Sequence, residues 1–280
     1  MTVARMNPVS MPRSALAALC GIGLLFASFA TVALAHDTWL LPRSLRVPVG
    51  RAVTLSLTSG MAFPADDFAI KASRVARATV RLAGQVTPLA TPVPASRSLH
   101  YEWTPRANGV AGLAVELAPN TLTLSPDKIE EYFADINASS ELRAKWDSVP
   151  APRHWRESYT KHAASFVRVG SPGADSSWRE PLGMGLEIVP EVNPTALHAH
   201  QMFRVRVLRG GRPDPGVEVG LQREGDAHVA FTRTDEGGRA TMRIPGSARW
   251  LVNVTDLRRS TRAGLEWESD FATLTIAVMK

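Results

Sequence analysis

The chain has 280 residues, 45% of them hydrophobic, which is enough apolar material for one large or two ordinary domains. Its net charge of +6 comes from 32 basic and 26 acidic side chains scattered along the sequence, which argues against a nucleic-acid or membrane-surface role. A lone cysteine, Cys20, excludes an intrachain disulfide, so the fold must rest on burial alone.

The N-terminus reads as an export signal. Arg5 and Arg13 precede a stretch from Ser14 to Ala35 that is free of charge and rich in Ala, Leu and Phe. Ala33 and Ala35 supply the small residues needed three and one positions before a signal-peptidase cut. Residues 1–35 are therefore expected to be a signal peptide, with Cys20 in the discarded leader, and His36 the first residue of a periplasmic chain. Cleavage leaves 245 residues with no cysteine and lowers the net charge to +4.

From Val47 to Leu117 short β-branched and apolar runs are broken by turn residues, as in antiparallel sheet. Val53-Thr-Leu-Ser-Leu-Thr58 alternates at period two, and Thr79–Leu82, Leu99–Trp103 and Val110–Leu117 repeat the pattern. Ser125-Pro126-Asp127 then opens a helix, with Ser as N-cap and Pro at the first helical position. Ile129, Tyr132, Phe133 and Ile136 give it one apolar face. A second helix is predicted over Ser140–Trp146, and Tyr159–Val169 returns to the sheet. After Gly170–Ser177, strands are predicted at Leu186–Pro190, Phe203–Leu208, Val217–Leu221, Ala230–Thr234, Ala240–Ile244, Trp250–Val254 and Thr273–Val278. The fold class is therefore mainly β, with two β-sandwich domains of immunoglobulin-like or prealbumin-like type. The first spans 36–170 with a helical insert at about 125–150, and the second spans 180–280.

Several segments together resemble the DUF4198 family, a group of bacterial periplasmic proteins related to the NikM-like component of nickel uptake. They are His36-Asp-Thr-Trp-Leu40, Gly60-Met-Ala-Phe-Pro64, Glu187-Ile-Val-Pro190 with Asn193-Pro194, the Val-Leu-x-Gly-Gly-x-Pro segment from Val207, and Trp267 leading into Ala272-Thr-Leu-Thr275. Thr234-Asp-Glu-Gly-Gly238 and Pro245-Gly246 also resemble turns of the carboxypeptidase-regulatory type of sandwich, and such turns specify fold rather than function. The resemblance implies handling of nickel, cobalt or copper, with a membrane transporter or receptor component as partner. Many relatives carry a histidine in the segment occupied here by Met61 and a lysine in that of Ala164.

An N-terminal histidine can chelate one ion through its α-amine and imidazole Nδ1, groups of ordinary pKa ~6.5 to ~8 that must be neutral to ligate. Three nitrogens around an ion suit Cu(II) and are accepted by Ni(II). The candidate metal ligands are His36, His162, and the pair His198 and His200, whose i, i+2 spacing on an extended strand would point both to one face. His100, His154 and His228 lack a partner at ligand spacing and are read as structural or surface residues. Met61 is expected to pack, and Asp66-Asp67 and Glu130-Glu131 to face solvent. No H-E-x-x-H, G-x-S-x-G or Walker sequence is present, so no enzyme is expected. The alternatives are a non-catalytic module binding carbohydrate or protein, and a copper histidine-brace oxidase, which would need a second histidine near His36 and an open axial position.

Overall fold

The computed structural model describes residues 1–2 and 36–279, so the expected signal peptide lies outside the described residues. The first nine strands are β1 (Asp37–Pro42), β2 (Arg46–Val47), β3 (Val53–Gly60), β4 (Val75–Leu82), β5 (Gln85–Pro88), β6 (Val93–Pro94), β7 (Leu99–Trp103), β8 (Gly109–Leu117) and β9 (Asn120–Leu124). Two helices follow, α1 (Pro126–Asp135) and α2 (Ser140–Asp147). The second half contributes β10 (Trp155–Val169), β11 (Leu186–Pro190), β12 (Met202–Arg209), β13 (Arg212–Pro213), β14 (Glu218–Arg223), β15 (Val229–Arg233), β16 (Arg239–Arg243), β17 (Ala248–Arg259) and β18 (Trp267–Val278). Ser125 has the extended backbone of an N-cap, yet its hydroxyl accepts no helix N–H, whereas Ser139 caps α2 by accepting from the Leu142 N–H.

The chain is mainly β, and among the described residues the strands form three sheets. A ten-stranded central sheet runs β15-β14-β17-β18-β10-β8-β4-β5, with β2 and β9 also on β10. Fifteen-residue β10 joins the two halves: Glu157–Ser165 pair in parallel with Trp267–Thr275 of β18, and Phe166–Val169 pair antiparallel with β8. The break expected after residue 170 therefore separates neither two sheets nor two cores, since Val110, Ala114, Ala164 and Phe166 pack with residues that follow it, and residues 36–279 form one compact unit.

Strand alternation assigns the cores to opposite faces of this sheet. Ala163, Val167 and Val169 of β10 meet the small sheet β1-β3-β7-β6 through Leu40, Leu55, Leu57 and Tyr101. Their neighbours Ala164 and Phe166 face the other way, joining Phe203, Val205 and Val207 of the sheet built from β11, β12, β13 and β16. The helical insert covers the first face further along. Trp155 is fully buried there, edge-on to Tyr132, Phe133 and Trp146 and stacked on Trp267 at 4.6 Å between centroids. Beside it the buried Glu157 carboxylate accepts from Tyr132 Oη at 3.0 Å, Trp155 Nε1 at 2.8 Å and the Ser269 hydroxyl.

Trp155→Ala opens the centre of this cluster and is expected to cost about 3–5 kcal/mol, read by thermal unfolding. New protease cuts between residues 125 and 150 should accompany the loss.

Candidate functional site

His36, Asp37, Gly60, Met61, Ala134, Asp135, Gln222, His228, Phe231 and Asn253 line a cleft of about 310 Å³ on the first face of the central sheet. The floor is β14, β15 and β17, where that face is covered neither by the β1–β3 sheet nor fully by the insert. One wall is the start of β1 with the end of β3, and the other is the C-terminal end of α1.

Each wall is fixed by identifiable bonds. The Lys161 ammonium donates to the His36 carbonyl, the Thr273 hydroxyl to the Thr38 carbonyl, and Asn253 Nδ2 to Asp37 Oδ2 at 2.8 Å. Asn253 lies directly over Gly220, whose missing Cβ makes room for it. Phe63 is buried edge-on to Trp39, and its carbonyl accepts from the Gly225 N–H at 2.9 Å, tying the Met61 loop to the loop that carries His228. Asp226 Oδ1 accepts from the His228 N–H at 2.9 Å, and Asp67 Oδ2 from the Met61 N–H at 3.1 Å. The His36 ring stacks on Phe68 at 4.7 Å.

Burial sets the charge state. It lowers the His36 pKa, helped by the Lys161 charge and opposed by Asp67, which favours the neutral imidazole that metals bind. Burial raises the Asp37 carboxyl despite Asn253 and Lys161, and it raises Asp135, with Glu131 adding to the effect. Burial pulls Lys161 down to about 8, against the pull of Asp37 and with that of Arg74. Among the described residues no three His, Cys, Asp or Glu side chains are already gathered around an ion-sized point.

The expected ligand set is only partly brought together. His36 lies in the cleft, but His162 does not, because it neighbours Lys161 along an extended strand and so projects from the opposite face. It is 2% exposed, with Nε2 3.1 Å from Asp270 Oδ1 and Nδ1 3.0 Å from Glu116 Oε2. The second contact is a charge contact lying off the hydrogen-bond axis. Both ring nitrogens face carboxylates, so His162 is an ion-pair residue. His198 and His200 are exposed in the loop before β12, and His200 has φ +66°, so the two do not share a face as extended residues would. That loop feeds the sheet on the far face.

His228, read as a structural or surface residue, is exposed, and its place on the surface is the cleft wall. Met61 does not pack; it is 69% exposed at the rim. Asp66 and Asp67 are not simply solvated, since Asp66 accepts from Ser56 and Ser98 and Asp67 holds the Met61 N–H. Lys161, Asp37 and Asn253 went unread as site residues. The available signal was a lysine between Tyr159 and Ala163 on one face of a strand, and an acid next to the expected terminus.

A family profile described as "Domain of unknown function (DUF4198)" matches residues 33–256. The chain belongs to the DUF4198 family. No curated protein matches it by sequence. Among solved structures this DUF4198 chain is similar to a chimeric titin Z1Z2 tandem, at 12% identity over 88% of this chain and 99% of that one, with a TM-score of 0.20. It is also similar to the Yersinia pseudotuberculosis adhesin InvE, at 12% identity over 85% and 58% with a TM-score of 0.24. Elastase-activated Escherichia coli alpha-2-macroglobulin gives 14% identity over 87% and 20% with a TM-score of 0.25. Scores this low give these likenesses no functional weight.

Burial penalises a charged His162, but its contacts with the Asp270 and Glu116 carboxylates outweigh it and raise its pKa above 6.5. The stability it contributes is complete below that unfolded value and fades as pH rises through the higher folded value. Glu116 is held low chiefly by His162, and Asp270 is held low by His162 and Arg258 against its burial, so their share is present above about pH 4.5 and lost in acid. His162→Gln is therefore expected to cost about 3 kcal/mol between pH 4.5 and 6.5, as for a buried pair losing one partner. Denaturant unfolding from pH 5 to 9 should show the wild-type advantage shrinking on the alkaline side.

Proposed function

We propose that this chain is an exported periplasmic protein that binds a divalent transition metal, nickel, cobalt or copper, as cargo through a mature N-terminal His36, and that it serves metal uptake. The observation that carries the reading is that His36 and His228, far apart in sequence, line one cleft with a thioether, Met61, at its rim. The donor set fits the cargo: the α-amine and imidazole of His36 would supply two nitrogens, His228 a third, and Met61 or Asp135 an exchangeable further ligand. The burial that keeps the His36 ring neutral works in the same direction. A carrier has to release its ion, and a chain end at an open cleft suits that. Neither His162 nor the His198 and His200 pair belongs to this proposed set. The NikM-like relationship and a transporter or receptor partner are part of the same proposal.

Calorimetric titration of nickel, cobalt and copper into the mature form with a native His36 terminus, against a form with one extra residue ahead of it, tests the reading. The native terminus should bind far more tightly, and His228→Ala should weaken it. Equal binding by the two forms would remove the terminal site.

Lys161 supports the site without touching the ion, because its ammonium holds the His36 carbonyl and thereby orients the terminal residue. Lys161→Met is expected to lower the affinity of the native-terminus form about 10-fold, the scale on which groups behind a metal ligand act. It should leave the weak binding of the extended form unchanged, and Lys161→Arg should restore part of the loss.

A further inference from the structure

A second, apolar hollow of about 360 Å³ opens along the seam between β15 and β16, where the central sheet and the β12 sheet part. Its origin is in the sequence of one edge strand. Residues of β15 paired with Val219 and Leu221 of β14 share their inward face, and these are Thr232 and Ala230. Both β14 partners belong to the core, whereas the edge strand offers only small side chains opposite them. The seam is consequently not filled, and Leu221, Met242 and Trp250 form an apolar floor, with Phe231 and Pro245 beside it. The Trp250 Nε1–H already donates to the Gly246 carbonyl at 3.1 Å, so its ring offers the hollow an apolar surface.

The rim carries charge of mainly one sign. Arg223 and Arg243 both line the opening, and among the described residues neither forms an ion pair, although the Arg223 charge acts at longer range on Glu224. Arg243 has one marginal contact, 3.5 Å from its Nε to the His200 carbonyl. The acid at the rim, Asp226, is engaged by the His228 N–H. Two guanidiniums outside any ion pair, over an apolar floor, match a ligand with a hydrocarbon body and one anionic end, since arginine forks bind carboxylates in paired fashion. The volume sits at the small end of ligand pockets, which selects a single short chain or ring.

We propose that this seam is a binding site for a small monocarboxylate with an apolar body, held by Arg223 and Arg243 with its hydrocarbon part against Leu221, Met242 and Trp250. The site is independent of the metal cleft except that His228 and Phe231 lie on the border of both.

The test uses the whole mature chain freed of metal by chelator, so that failure of the metal reading leaves it unaffected. Calorimetric titration with octanoate is compared with octan-1-ol, and displacement of 1-anilinonaphthalene-8-sulfonate gives a second readout. Octanoate should saturate one site and bind at least about tenfold more tightly than the alcohol, the worth of a charge-assisted hydrogen bond. Arg223→Gln with Arg243→Gln, both at the surface, should bring octanoate down to the level of the alcohol without moving the melting temperature. Ala230→Phe, which fills the seam from its edge strand, should abolish both. Equal binding of acid and alcohol, indifference to the arginine changes, or full binding by Ala230→Phe would each overturn the proposal.

Discussion

The alternation of side chains along β10 governs the rest of the molecule. An extended strand sends adjacent residues to opposite faces, and a fifteen-residue strand at the centre of a ten-stranded sheet has both faces covered by different partners. Lys161 therefore reaches the His36 carbonyl on one side while His162, one residue on, joins Glu116 and Asp270 on the other. A one-residue slip of this strand would exchange a buried cation and a buried ion pair between two sites, so both sites strongly specify the register.

The charge cluster on the second face has a structural purpose. From Glu116 and His162 it continues through Asp270 to Arg258, Asp256 and Arg209, joining β8, β10, β18, β17 and β12. These strands come from both halves of the chain, so the cluster bonds the two cores across the shared sheet. Buried charges of this kind give little net stability, but each partner is costly to lose, which favours one arrangement over near alternatives.

Most residues that carried the family resemblance also prove to be architectural. Phe63 of the Gly-x-x-Phe-Pro stretch is buried against Trp39, and Trp267 stacks on Trp155. Glu187 is buried and gathers the backbone N–H groups of Leu182, Gly183 and Met184. Asn193 accepts from the backbone and hydroxyl of Thr195. In the Thr234–Gly238 turn, a side chain on Gly238 would strike the Val207 carbonyl and the Asp214 N–H, and its φ of +70° is open to glycine. Family membership thus speaks mainly for the scaffold, and the cleft has to be argued from its own donors.

The sequence by itself determined most of the longer strands and the two helices, because period-two and helical apolar patterns are local consequences of backbone geometry. It also singled out His36, through the small residues that precede it. It did not show that β1 is a strand, that the two halves share one sheet, or that His228 rather than His162 lines the same cleft as His36. Those outcomes depend on parallel pairing of β10 with β18 and on which face each residue then presents, and such long-range register leaves no mark in the spacing of neighbouring residues. The open seam followed the same rule: Ala230 and Thr232 are unremarkable in a sequence, and they leave a hollow only because the tertiary structure places them on the inner face of an edge.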